Sequence, residues 1–315
     1  MKKKIILGLV LFLIIPFFFS IQNIWASSSE ERDEYIKGVL SKFEESSSAV
    51  TPNKKTEAPQ RKHTFEVGSE ISHITYKEPG LMKTKGIMQG INFAYAFHGQ
   101  LPPSAKNGML KIEGRYSRGK VDYDGSLTDG KTVIPFSIDD IPDYIFEVRG
   151  LFGNDFFVSE IISFTPYLGI GYRYLNDNAH KKSEYGYERE SRYIYIPIGI
   201  EFIRRFERGW SLAVKAEFDA FAWGRQKSHL SDFYAGYGDI TNSQHKGYGL
   251  RGSFRIQKKG QIVGLIIEPF IRYWSIEDSE LVPITDYGVP DPEGECWVEP
   301  KNNSTELGCK LALLF

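Results

Sequence analysis

WSLAVKAEFDAFAW, residues 210–223, alternates along most of its length. Trp210, Leu212, Val214, Ala216, Phe218 and Ala220 fall on one side; Ser211, Ala213, Lys215, Glu217 and Asp219 fall on the other. Side chains that take opposite faces in strict turn belong to a β-strand, and a strand of this length exceeds the usual five or six residues. One face is apolar and the other charged, so the strand divides two very different surroundings.

The same texture extends outward in both directions. In 193–202, Ile194, Ile196, Ile198, Ile200 and Phe202 oppose Tyr193, Tyr195, Gly199 and Glu201. In 248–256, Tyr248, Leu250, Phe254 and Ile256 oppose Arg251, Ser253 and Arg255. In 165–174, Pro166, Leu168, Ile170, Tyr172 and Tyr174 oppose Thr165, Gly169, Gly171 and Arg173. Marked in this way, the chain holds ten predicted strands: 65–76, 86–98, 109–118, 143–153, 162–175, 190–206, 209–223, 245–258, 261–275 and 303–315. Short turns alternate with long polar connections at 119–142, 176–189, 224–244 and 276–302. Short on one side and long on the other is the pattern of an up-and-down barrel in the bacterial outer membrane. The expected fold is all-β: a transmembrane antiparallel up-and-down barrel of ten strands, with eight or twelve as alternatives. An even count sets both ends of the barrel chain on the periplasmic side.

A soluble, lipocalin-like barrel would use the same alternation with the apolar face inward. Strand length, aromatics near strand ends (Tyr172, Tyr174, Phe206, Trp210, Trp223 and Tyr273) and the apolar terminus favour the membrane. The charged face then points into the lumen. It carries Lys111, Glu113, Arg115, Glu147, Arg149, Arg173, Glu201, Lys215, Glu217, Asp219, Arg251, Arg255, Glu268 and Arg272. A ten-stranded barrel is narrow, and charges removed from bulk water must find partners. The expected lumen is therefore filled by ion pairs, with a thin conduction path as the alternative.

Composition agrees. The 315 residues carry a formal charge of −1, which gives no general attraction for nucleic acid. Two cysteines, Cys296 and Cys309, are too few for a disulfide framework. Lys2, Lys3 and Lys4 precede an apolar run over 5–19, and Ile24-Trp25-Ala26 offers a cleavage site before Ser27. This reads as a secretory signal over 1–26, whose apolar run is short of the roughly twenty residues that span a bilayer as a helix. Residues 27–64 form an expected periplasmic leader: a short amphipathic helix with Ile36, Val39, Leu40 and Phe43 at helical spacing, then a polar, proline-containing linker. The barrel occupies 65–315.

The terminus carries a resemblance. Glu306, Gly308, Leu311, Leu313 and the final Phe315 resemble the C-terminal β-signal of outer-membrane proteins. That resemblance implies recognition by the barrel assembly machinery during insertion. Stretches such as FTPYLGIGYRYLND, RESRYIYIPIGIEF and EPFIRYW resemble uncharacterised outer-membrane barrels of Gram-negative bacteria and bring no activity with them.

Ten strands also resemble the omptins, outer-membrane proteases in which an Asp-x-Asp pair and an Asp-x-His pair activate a water. Asp122-Tyr123-Asp124 follows the third predicted strand, and His229 lies in the loop after the seventh. Lys227 stands where the family has the acid that orients the imidazole, and Asp-Tyr-Asp-Gly also suits a turn. The candidate catalytic set is therefore Asp122, Asp124 and His229. The remaining histidines show no metal spacing, and neither a metal nor a cofactor is expected.

The last loop is acidic, with Glu277, Asp278, Glu280, Asp286, Asp291, Glu293, Glu295 and Glu299; the loop 176–189 is basic, with His180, Lys181, Lys182 and Arg189. The basic group would meet lipopolysaccharide phosphates. The expected partners are outer-membrane lipid and lipopolysaccharide, with no nucleic acid, around a monomer. The functional expectation is a structural, adhesion or ligand-binding surface protein acting through its extracellular loops. An omptin-like protease and a narrow channel are the alternatives.

Overall fold

The computed structural model describes residues 62–101, 105–128, 132–290, 294 and 296–315. The signal over 1–26 and the leader as far as residue 61 lie outside the described residues. Ten long strands close the ring: β1 His63–Glu78, β2 Met82–Leu101, β3 Ala105–Thr128, β4 Val133–Asn154, β5 Ile162–Asn178, β6 Glu188–Arg205, β7 Trp210–Ser228, β8 Gly247–Lys258, β9 Gly264–Ile276 and β10 Asn302–Leu314. Each pairs antiparallel with its sequence neighbour, and β10 pairs with β1 from Glu66↔Leu314 to Lys77↔Asn303. No edge of the ring remains unpaired, which is what lets a sheet sit in lipid.

One end of the ring carries the short turns and the final residue; the other carries the long connections. At the turn end Phe65 and Phe315 exchange backbone hydrogen bonds of 3.2 and 2.8 Å, and their rings lie 6.5 Å apart. The outer wall is a belt of exposed apolar side chains such as Ile71, Ile91, Leu168, Ile198 and Leu307. On β10, Leu311, Leu313 and Phe315 face this belt, while Glu306 is buried inside.

Several connections are shorter than the alternation predicts. The segment 119–142 is mostly sheet, because β3 and β4 pair up to Thr128↔Val133. A bulge lies between the pairs Val121↔Ile141 and Tyr123↔Ile138, with Asp140 at φ 60°. It shifts the inward positions of β4 from even numbers (Phe136, Ile138) to odd ones (Ile141, Ile145). A change of phase conceals a strand from any reading by period two. In β7, Ile194 faces Trp223 and Tyr195 faces Phe221, so Ala222 is the extra residue. The strand continues past residue 223 to Ser228 and pairs there with a short strand, Ile240–Gln244.

The interior is layered. Near the turn end Ile266, Ala312 and Leu314 form one small apolar cluster and Met109, Leu151 and Tyr167 another. Charged side chains fill the middle. Above them sit two apolar groups, Ile74, Met88, Val121, Ile138, Ile141 and Ile145 on one side and Tyr193, Tyr195, Trp274 and Ile276 on the other. Leu175 packs against both groups and joins them into one layer.

Candidate functional site

The mid-lumen network starts from strand alternation, which aims every second side chain inward. Arg115 on β3 reaches Glu147 through Nε at 2.8 Å, Glu70 through Nη1 at 3.1 Å, and both oxygens of Glu306 at 2.9 and 3.0 Å. Arg272 bridges the same Glu70 and Glu306 at 3.1 and 3.0 Å. Arg251 binds Glu147 and Asp219, each at 2.5 Å, and Tyr195 donates its hydroxyl to Glu147 at 2.7 Å. Arg149 links Glu113 at 2.6 Å with Glu217, whose other oxygen accepts from Tyr167 at 2.6 Å. Lys111 pairs with Glu113 at 2.6 Å, and Lys215 stands 3.8 Å from the same carboxylate. Toward the turn end, Arg255 joins Glu66 at 2.6 Å to Glu268 at 3.0 Å, and Lys310 reaches Glu268 at 2.7 Å. Glu201 lines the vestibule at that end beside Lys111 and Arg255.

Arg173 stands apart. It is buried, its guanidinium lies 5.3 Å from the centre of the Trp274 ring, and Nε and Nη1 have no hydrogen-bond partner. The desolvation of this cation is offset only by the ring face and by nearby carboxylates.

The fourteen lumen residues named from the sequence comprise eight cations and six anions. The structure adds Glu66, Glu70, Glu306 and Lys310, which brings the count to nine of each. Glu66 and Glu70 escaped the sequence reading, although their alternation with the outward Val67 and Ile71 points to them, as does the excess of cations over anions. The cavity left in this network measures about 90 Å³ and is lined by paired ions such as Glu70, Arg115, Arg149 and Lys310.

The omptin-like candidates do not come together. Asp122 and Asp124 lie within β3, not in a loop after it. Both are exposed and alternate with the inward Val121 and Tyr123, so they face outward. Asp122 accepts from the backbone N–H of Asp140 at 3.2 Å. His229 follows β7, a strand that β4, β5 and β6 separate from β3 on the shorter path around the ring. Its acid partners are also new: Glu190 stands 3.0 Å from Nε2 and Asp239 3.2 Å from Nδ1. Asp239 also binds Ser231 and Lys227, at 2.6 and 3.1 Å, and its carboxyl is held below the usual range by these bonds despite partial burial. An imidazole with a carboxylate at each nitrogen has no free lone pair for a water, so His229 is a clamp on its loop. Among the described residues no group of three or more His, Cys, Asp or Glu converges to hold a metal.

At the loop end, aromatic rings form an unbroken run from β3 and β4 through three connections. Tyr123 meets Phe136 at 6.2 Å, Phe136 meets Tyr185 at 6.2 Å, and Tyr185 meets Phe233 at 6.4 Å. Phe233 then meets Tyr237 at 6.4 Å, Tyr237 meets Tyr234 at 4.9 Å, and Tyr234 meets Tyr287 at 6.5 Å. Tyr185, Phe233, Tyr234 and Tyr287 are exposed, Tyr287 to 76 %. The sequence reading missed this rim because the rings lie in separate strands and connections.

No protein-family model matches the chain, and no curated protein matches it in sequence. Among solved structures, the outer-membrane protease OmpT of Escherichia coli is similar with a TM-score of 0.58 at 8 % identity, over 84 % of this chain and 99 % of that one. Neisserial surface protein A gives 0.30 at 11 % identity, over 79 % and 95 % of the two chains. The toluene transporter TodX of Pseudomonas putida gives 0.32 at 7 % identity, over 82 % and 92 %. Scores of the latter size carry no structural argument, and 8 % identity to OmpT speaks for fold alone. This chain has the fold of a ten-stranded outer-membrane β-barrel.

Proposed function

We propose that this protein is an outer-membrane surface barrel that binds a ligand outside the cell through its aromatic rim, in adhesion or ligand capture. The turn end is then periplasmic and the loop end extracellular. The observation that carries this reading is the run of rings from Tyr123 to Tyr287, anchored on the core at Tyr123 and Phe136 and exposed at Tyr185, Phe233, Tyr234 and Tyr287, at the end where the lumen gives way to loops. Exposed aromatic faces mark binding surfaces, since they offer large contact area with little entropy to lose. Flat apolar faces of a glycan suit such rings.

Insertion would use the terminal signal, read by the assembly machinery as β10 closes on β1. On the outer wall, a groove holds Arg118, Lys120 and Lys181 beside Tyr116 and Tyr144, together with Asp122, Asp140 and Asp143, of which Asp140 pairs with Lys120 at 3.4 Å. This arrangement supports contact with lipopolysaccharide phosphates. Against a channel stands the paired, layered lumen; against an omptin-like protease stand the outward Asp122 and Asp124 and the doubly bonded His229.

The test is retention on immobilised glycoprotein of cells that display the barrel. Replacement of Phe233, Tyr234 and Tyr287 together by serine abolishes retention if the rim binds. Equal retention by the triple variant at equal surface amount rejects the proposal.

A further inference from the structure

In the connection between β9 and β10, the described stretches 277–290 and 296–301 meet the barrel mouth. Glu277 N–H donates to Lys246 at 3.0 Å, Glu280 N–H donates to Ser243 at 3.2 Å, and Asn242 Nδ2 donates to the carbonyls of Glu280 and Trp297 at 3.0 and 3.2 Å. The Trp297 ring stands edge-on to Tyr187 at 6.1 Å. Two residues later Glu299 enters the mouth and is only 3 % exposed. Its backbone N–H donates to Ser279 Oγ at 2.8 Å.

The Glu299 carboxyl lies 3.2 Å from the Tyr76 hydroxyl, which lies 3.1 Å from Glu78. A phenol has one proton and can donate to one carboxylate only. Both contacts are hydrogen bonds only when the second carboxyl is protonated and donates to the phenol oxygen. Glu78 already has Arg189 at 3.0 Å, and the same guanidinium binds Asp177 at 2.9 Å. No ion pair of this kind reaches Glu299 among the described residues, so it is the carboxyl that an added proton would occupy. The groups that face it are Tyr76 and Glu78 from β1, Asp177 from β5, Arg189 and Tyr193 from β6, and Tyr187 just before β6. One guanidinium among three carboxylates leaves the mouth short of positive charge.

We propose that Glu299 is a proton-operated latch: protonated, it donates to Tyr76 and holds the end of the β9–β10 connection in the barrel mouth; ionised, it lets that end leave. Burial pushes the Glu299 carboxyl up to about 7; Arg189 opposes this and Glu78 adds to it. A carboxyl raised in the closed state favours closure below its ordinary range near 4.5, and that favour is lost as pH rises to about 7. The closed form is then disfavoured by roughly two orders of magnitude at pH 9 relative to pH 4.5.

The test uses the full chain refolded in lipid, with Cys309→Ala and a spin label on the exposed Cys296, one residue before Trp297. The mobile fraction of the label rises with pH across the window between about 4.5 and 7 in the otherwise wild-type chain. Glu299→Gln, whose amide still donates to Tyr76, keeps the label immobile throughout. Label mobility that is independent of pH overturns the proposal, and so does the same transition in Glu299→Gln. If Glu299→Gln does not fold, Tyr76→Phe decides. Loss of the hydroxyl raises the mobile fraction at pH 5, and an unchanged fraction there overturns the latch.

Discussion

Glu306 of the last strand receives two parallel hydrogen bonds from Arg115 of the third, at 2.9 and 3.0 Å across the lumen. The residue that resembles the start of a β-signal is thus also a bidentate partner of the central guanidinium. The strand that closes the ring on β1 therefore brings a carboxylate to the ion network. Glu306→Ala leaves Arg115 and Arg272 competing for Glu70, so folded stability in lipid vesicles falls by about 3–5 kcal/mol. Urea titration of the heat-modifiable form measures this.

Arg173 has no such partner. Arg173→Leu therefore changes stability by about 1 kcal/mol or less, whereas Arg115→Leu costs about 3 kcal/mol or more. The same titration compares the two, and equal losses contradict the idea that the network is centred on Arg115.

Gly308 lies where a Cβ would stand 2.5 Å from the Ile71 carbonyl oxygen and 2.6 Å from the Phe270 ring. The glycine lets the Phe270 ring cover the closing strand. Gly308→Val blocks closure and reduces the folded, heat-modifiable fraction severalfold. A conservative Leu311→Ile on the lipid face leaves it unchanged.

Tyr195 and Trp274 stand edge-on at 5.0 Å in the apolar layer above the ion network. In planar bilayers the wild-type barrel is silent. Tyr195→Ala with Trp274→Ala opens a water path and produces stepwise conductance. Steps from the wild-type protein would favour the channel reading.

His229→Ala frees the connection 229–239 from Glu190 and speeds its cleavage by added protease several-fold, with a change in global stability of about 1 kcal/mol or less. Asp122→Asn and Asp124→Asn leave any peptidase activity of the barrel unaltered, because both face away from the lumen and from His229.

Much of this fold was legible in the chain. Period-two alternation identifies ten strands, since a side chain's face in a sheet depends only on its own parity. The terminal EXGXXLXLXF pattern is local in the same sense. Where parity broke, the sequence misled: the bulges at Asp139–Asp140 and Ala222 reverse the faces of β4 and β7, so long stretches of sheet read as loop and Asp122 and Asp124 read as loop acids. Partner choice was not legible either. That Arg115 takes Glu306, that Arg173 faces the Trp274 ring without an ion pair, and that His229 is clamped by Glu190 and Asp239 all follow from the barrel's tertiary arrangement, which sets residues far apart in sequence face to face. The rim and the Glu299 latch belong to the same class: the rim joins rings from successive connections, and Glu299 meets Tyr76 only where β10 has met β1.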